Sequence, residues 1–142
     1  MAVKITRYGT MLVAIIAILL LFLPWYSHHL QQRSLRQAEM GFQAEALHTA
    51  GKAAAYNPLS VDALFVIAGA RQRLGRVQEA RRALERATEL EPQNYETWKQ
   101  LAIYERDYWD EPELARQHFQ QAVSLNPHDK QLCMEAGLEA EC

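Results

Sequence analysis

The chain opens on an unbroken apolar stretch and then settles into a helical rhythm. From Tyr8 to Ser27 no residue is charged, and Met11 to Leu23 is almost wholly Leu, Ile, Val, Ala and Phe. At ~1.5 Å of rise per residue, about twenty helical residues cover roughly 30 Å, the thickness of a hydrocarbon core. Tyr8 at one end and Trp25-Tyr26 at the other stand where interfacial aromatics belong. Residues 8–27 are therefore expected to form a transmembrane anchor behind a short basic N-terminus, residues 1–7, with Pro24 separating the span from the chain beyond it. A cleaved signal peptide is the competing reading. Pro24-Trp25-Tyr26-Ser27-His28 holds no small-x-small pair for cleavage and no cysteine for lipid attachment.

Beyond the span the apolar positions recur at helical spacing, punctuated by proline. Asn57-Pro58, Glu91-Pro92 and Asn126-Pro127 place prolines 34 and 35 residues apart (92 − 58 and 127 − 92). Tyr56, Leu90 and Leu125 lie two residues before each proline, and Ser60, Asn94 and Asp129 two residues after. Proline cannot continue the preceding helix, and the residue two positions later is a good N-cap for the next. Between these signals Leu64, Ile67 and Ala68 form one stripe, Gly75 breaks it, and Ala80, Leu84 and Ala87 form a second. The next unit repeats this with Trp98, Leu101 and Ala102, then Ala115, Phe119 and Ala122. The unit nearest the span has a weak leading helix (Leu30, Leu35) before Ala46, Ala50 and Ala53. Small alanines let paired helices approach closely.

These residues resemble the tetratricopeptide repeat (TPR): a large residue, a Leu and a small residue early, Ala, Leu or an aromatic, then Ala later, and Pro at the junction. The unit from Trp98 to Pro127 is close to the full pattern, with one extra residue in its inter-helix turn between Asp107 and Pro112. The resemblance implies an all-α fold: a TPR-like helical-hairpin solenoid behind one N-terminal transmembrane helix. Three hairpins occupy residues 28–128, the first degenerate, and a C-terminal capping helix occupies residues 129–142, with Ala136, Gly137 and Ala140 toward the stack and Glu135, Glu139 and Glu141 toward water. In such a solenoid the inner faces of the first helices line a groove. Matched residue by residue, the groove candidates are Phe65, Gly69, Gln72 and Arg73 in the second unit and Lys99, Ile103 and Arg106 in the third. More loosely, a span ending in Leu-Pro-Trp, a degenerate helix and then Asn57-Pro58-Leu59-Ser60 resemble the tail behind the last span of bacterial O-antigen ligase or polymerase-type proteins. That resemblance implies a place in envelope glycan assembly.

Charge refines the picture only modestly. The formal net charge is −2, which favours neither nucleic acid nor an anionic surface as the main partner. The distribution is uneven: five Lys/Arg against two Asp/Glu through Ser60, and ten against fifteen after it. Lys4 and Arg7 before the span are nearly balanced by Arg33 and Arg36 beyond it. The short basic N-terminus before a first span predicts a cytoplasmic N-terminus with the soluble domain on the far side. The resemblance to the ligase tail implies that the membrane is the inner membrane of a bacterium. Arg71, Arg73, Arg76, Arg81, Arg82 and Arg86 crowd the second hairpin, and an acidic third hairpin comes after it. This reads as solvated faces laced with ion pairs, or as a basis for contact between copies.

Chemistry-bearing constellations are missing from the sequence. There is no HExxH, no GxSxG and no phosphate-cradling glycine loop. His28 and His29 are adjacent and point to different sides of a helix, so they are poor co-ligands. Asp107 to Glu111 lacks the ligand alternation and central glycine of a calcium loop. Cys133 and Cys142, nine apart, would lie ~13 Å apart along one continuous helix, too far to bridge. No catalytic residue, metal or cofactor is expected, and the chain is not expected to be an enzyme. The expected role is a membrane-tethered scaffold or adaptor for a protein or peptide, one bearing an acidic or C-terminal carboxylate group, with a second copy of the chain as a further partner. The alternative is a non-catalytic accessory subunit of a membrane glycan polymerase or ligase, for which the sequence of the span, and not only its hydrophobicity, would matter.

Overall fold

Helices supply every regular element among the described residues, in the order α1 (Ala2–Glu39), α2 (Gln43–Tyr56), α3 (Val61–Arg73), α4 (Val77–Leu90), α5 (Tyr95–Asp107), α6 (Pro112–Leu125) and α7 (Lys130–Ala136). The computed structural model describes residues 2–137, leaving out the side chains of residues 2–10 and 19–21. The helices pair as α1/α2, α3/α4 and α5/α6, and each pair stacks on the next, with α7 closing the end against α6. This is a helical-hairpin solenoid, and the expected helix ends at Tyr56, Leu90 and Leu125 are where α2, α4 and α6 stop.

Alanine sets the spacing. Ala46, Ala50, Ala53, Ala63, Ala68, Ala80, Ala87, Ala102 and Ala122 have no exposed surface, so paired backbones meet over a methyl group. Larger side chains fill the spaces between: Ile67, Leu84 and Leu101 in one cluster, Phe119, Val123 and Leu132 in another, and Leu30 with Ala53 and Ala63 in a third. Leu35, expected in the stripe of the first unit, is instead exposed.

The hairpin turns share one backbone device. Gly41, Gly75 and Asp110 all have positive φ (87°, 73° and 54°), at the period of the repeat. Glycine adopts that left-handed region freely, and aspartate is among the few other residues that visit it. The third turn runs Tyr108–Glu111, one residue longer than Leu74–Arg76, as the spacing of the prolines predicts.

Several expectations need correction. Pro24 does not separate the span from the repeats, because α1 continues through it to Glu39. Proline removes one backbone donor from the helix, and here the rings of Phe22 and Tyr26 stack across it at 5.8 Å, with Trp25 and His29 stacked at 6.1 Å one turn on. The leading helix of the first hairpin is therefore the continuation of the apolar helix. Ser60 occupies the N-cap position of α3 but its side chain caps nothing, whereas Asn94 accepts from the amide of Glu96 and Asp129 from those of Gln131 and Leu132. The closing helix is shorter than expected. Gly137 turns left-handed (φ 66°) and ends α7, so it is exposed and does not face the stack, and Glu135 is half-buried. Glu139, Ala140 and Glu141 lie outside the described residues. With no continuous helix past Gly137, the premise that kept the two cysteines apart fails. Cys133 is disulfide-bonded, and the chain's other cysteine, Cys142, lies outside the described residues.

The turn geometry yields a paired prediction. Gly75→Ala forces a Cβ into a left-handed position and should cost about 1–2 kcal/mol, whereas Asp110→Gly should be neutral or stabilise by up to about 1 kcal/mol. Urea denaturation of the two variants checks this, and equal effects of one sign would contradict it.

Candidate functional site

A cleft runs between the C-terminal half of α1 and the inner face of α3, with a volume of ≈ 450 Å³. Helical spacing places Phe65, Gly69 and Arg73 on successive turns of α3, and all three line this cleft. Its floor is apolar, from Leu35, Phe65, Val66 and Ala70. Its rim carries Gln32, Glu39 and Asp62 as well as Arg73. The Arg73 guanidinium is exposed, and one Nη donates to the carbonyl of Ala38 at 3.0 Å, which places the cation over the C-terminal end of α1. That is where the helix's orphan carbonyls favour positive charge.

The seven residues singled out from sequence do not share this cleft. Gln72 turns away from it, its Oε1 accepting from the indole of Trp109 at 3.3 Å. Lys99, Ile103 and Arg106 belong to a second surface, against α7. Ile103 packs on the cluster that holds Leu132 and Cys133. Arg106 pairs with Asp107 at 2.7 Å and donates to the carbonyl of Glu135 at 3.3 Å. Lys99 holds Glu96 at 3.2 Å. Burial opposes the Lys99 charge, but the hydrogen bond to Glu96 and the nearby carboxylates of Glu96 and Glu135 outweigh it, so its pKa rises above the usual lysine value. The Arg106 hydrogen bond holds the Asp107 carboxyl below the usual carboxylate range. These cations are engaged within the chain, whereas the Arg73 contact is with a single backbone carbonyl.

Between the two surfaces stands Tyr104, which sequence reasoning passed over. A Cβ built on Gly69 would lie 3.3 Å from the Tyr104 hydroxyl, so glycine at this position leaves room for that ring. Burial and the neighbouring Tyr108 raise the Tyr104 pKa, against an opposing effect of Arg73. The other residues missed are those of α1: Gln31, Gln32, Leu35, Ala38 and Glu39 form one wall of the cleft. Gln31 and Leu35 at four-residue spacing were the available signal, weakened by the absence of an aromatic.

The four-residue turn after α5 folds back on the second hairpin. The Arg81 guanidinium lies 4.2 Å from the Trp109 ring centre and pairs with Glu111 at 2.9 Å. Tyr108 beside it stays exposed. Further inside, Glu105 is 1% exposed, and its carboxylate meets His118 Nδ1 at 2.7 Å. The pair links α5 to α6 where Arg71 and Glu79 link α3 to α4 at 3.4 Å one repeat earlier. A buried carboxylate that loses its partner is costly. His118→Ala should therefore destabilise the protein by about 2–4 kcal/mol in urea denaturation. A change below about 0.5 kcal/mol, the usual range for surface substitutions, would show that the pair is not a structural contact.

Comparison with known proteins agrees with this geometry. The tetratricopeptide repeat family model matches residues 61–104. Among solved structures, the type III secretion translocator chaperone SycD of Yersinia enterocolitica superposes with a TM-score of 0.69 at 16% identity, over 81% of this chain and 90% of that one. The first TPR of Spaghetti (RPAP3), bound to the HSP90 peptide SRMEEVD, gives 0.67 at 16% identity over 81% and 90%. PcrH, in complex with the chaperone-binding region of PopB, gives 0.67 at 16% identity over 82% and 94%. At that identity the likeness is one of fold. A search of curated protein sequences returns no match.

Proposed function

We propose that this chain, a tetratricopeptide-repeat protein by its fold and by the repeat at residues 61–104, is a membrane-tethered adaptor that holds a peptide or helix of a partner protein in the cleft between α1 and α3. The observation that carries the reading is the composition of that cleft. It has an apolar floor around Phe65 wide enough for a side-chain anchor, and Arg73 at one end presents an exposed guanidinium. Such a floor favours an apolar anchor residue, and the guanidinium favours a carboxylate beside it. Asp62 and Glu39 on the same rim favour a polar or basic group at the other positions. Two of the structural neighbours, the RPAP3 domain and PcrH, hold peptide segments of other proteins. The role needs no catalytic residue, metal or cofactor.

The tether is the apolar part of α1. It is long and apolar enough to cross a bilayer, and almost none of it is buried against the rest of the chain. An unburied apolar helix of this length is accounted for by lipid. The basic residues before it support a cytoplasmic N-terminus, and the disulfide at Cys133 supports an oxidising compartment for the repeats. Lys99, Ile103 and Arg106 join the binding surface in this reading only as its far edge, since Glu96 already holds Lys99, Ile103 packs on the cluster that holds Leu132, and Asp107 and the Glu135 carbonyl hold Arg106.

Site-specific photo-crosslinking in native membranes tests the adaptor reading. A photoreactive amino acid at Phe65 should yield a defined adduct that the same group at Gln117, exposed on α6, does not. Arg73→Glu should reduce that adduct by at least about tenfold, the factor expected from losing a charge-assisted hydrogen bond. Identical adducts from positions 65 and 117, or no effect of Arg73→Glu, would remove the cleft as the binding site.

A further inference from the structure

The continuity of α1 fixes more than the tether. It sets the height of every part of the first hairpin relative to the apolar span. Ser27 Oγ donates to the carbonyl of Ala53 at 3.0 Å, and the rings of Tyr26 and Tyr56 meet edge to face at 5.1 Å. The C-terminal end of α2 is therefore level with residues 26 and 27 of α1. Leu30 packs with Ala63 of α3 as well as with Ala53. α3 begins at Val61, two residues before Ala63 and so ~3 Å nearer the span, and Leu59 stands in the turn just before it, three residues after Tyr56. The turn between the first and second hairpins thus sits where the apolar helix ends.

Its side chains match that position. Leu59 is 69% exposed and Tyr56 45%, and on α1 the rings of Trp25 and Phe22, within one turn of Tyr26, are exposed as well. The equivalent turns farther along the stack are polar: Pro58-Leu59 becomes Pro92-Gln93 and then Pro127-His128. An apolar residue stands only at the turn adjoining the span, although all three turns have the same local structure. No Asp or Glu occurs from Phe22 through Ala38 or from Ala46 through Val61, and Lys52, His28 and His29 are exposed there, with Asp62 in the first turn of α3 the nearest acid.

We infer that the edge formed by Trp25, Tyr56 and Leu59 is a membrane-contact surface, with Leu59 entering the boundary between headgroups and acyl chains and Lys52 facing lipid phosphates. The inference rests on the reading of α1 as a membrane span and adds a second point of contact to it. Aromatic and aliphatic side chains at that depth lose apolar surface from water, and a lysine close to the phosphates gains from anionic lipid. Two contacts separated across the first hairpin hold the stack in one orientation over the bilayer, whereas a single helix leaves it free to rotate about its axis.

The test uses the full chain in phosphatidylcholine–phosphatidylglycerol vesicles, with an environment-sensitive fluorescent amino acid at position 59 or, in a second variant, at position 93. Alkaline carbonate extraction is run on both. The expected result is quenching at position 59 by at least about twofold with a lipid-borne quencher placed just below the headgroups, as for a side chain ~5–10 Å deep, and quenching at position 93 by aqueous iodide alone. Iodide quenching at both positions, in a chain that resists carbonate, would overturn the contact and leave the span intact. Shielding of position 59 from both quenchers would assign the edge to a protein neighbour and equally overturn it. Release of the chain by carbonate would sink the span and the contact together.

Discussion

One seam holds the rest of the molecule in place, the packing of α1 against the end of α2 and the start of α3. In a solenoid each hairpin touches only its neighbours, so the first hairpin alone transmits the position of the apolar helix to everything after it. Leu30 between Ala53 and Ala63, the Ser27 hydroxyl on the Ala53 carbonyl and the Tyr26–Tyr56 ring contact make that seam. A buried serine is acceptable there because its hydroxyl is spent on a backbone acceptor. The closeness of the approach comes from alanine, since a larger residue at Ala53 or Ala63 would push the helices apart and break the register of both contacts.

The repeat beyond the seam was legible in the chain because two independent signals coincide. Prolines at a fixed period mark where each pair ends, and alanines at helical spacing mark which faces meet. Leu84, Leu101 and Phe119 are buried where that pattern puts them. What escaped was polar burial. Thr97, Glu105 and Ser34 are as deeply placed as the leucines, each because a specific partner satisfies it: the Asn94 carbonyl, His118 and the Gln31 carbonyl respectively. Hydropathy treats such residues as surface, and only the pairing of α5 with α6 brings Glu105 to a histidine thirteen positions away. Pro24 misled for a related reason. Its rule describes the backbone alone, and the stacked rings on either side lie outside it.

The candidate groove shows the limit of transferring positions from a family pattern. Register places Phe65, Gly69 and Arg73 on one helix face, and the cleft indeed holds them together. Register also makes Lys99, Ile103 and Arg106 the equivalents of Phe65, Gly69 and Gln72, yet Lys99 is taken up by Glu96, Ile103 packs on the cluster that holds Leu132 and Cys133, and Arg106 is taken up by Asp107 and the carbonyl of Glu135 on α7. A short stack has ends, and the residues next to an end serve the closing helix before they serve a ligand. The wall supplied by α1 was hard to foresee for the opposite reason: its glutamines and Leu35 carry little family signal, and their role comes from where the helix lies.

Because α1 passes without interruption from the apolar stretch into the first hairpin, the molecule is mechanically a lever. Transmembrane helices lie on average ~20° from the bilayer normal, and a span longer than the local hydrocarbon thickness tilts to fit it. On a rigid axis, a tilt of that size swings a point ~30 Å farther along by ~10 Å. The cleft lies on that arm. With the apolar stretch in a bilayer, as proposed above, the sideways position of the cleft, and with it the reach of whatever it holds, follows the thickness of that bilayer.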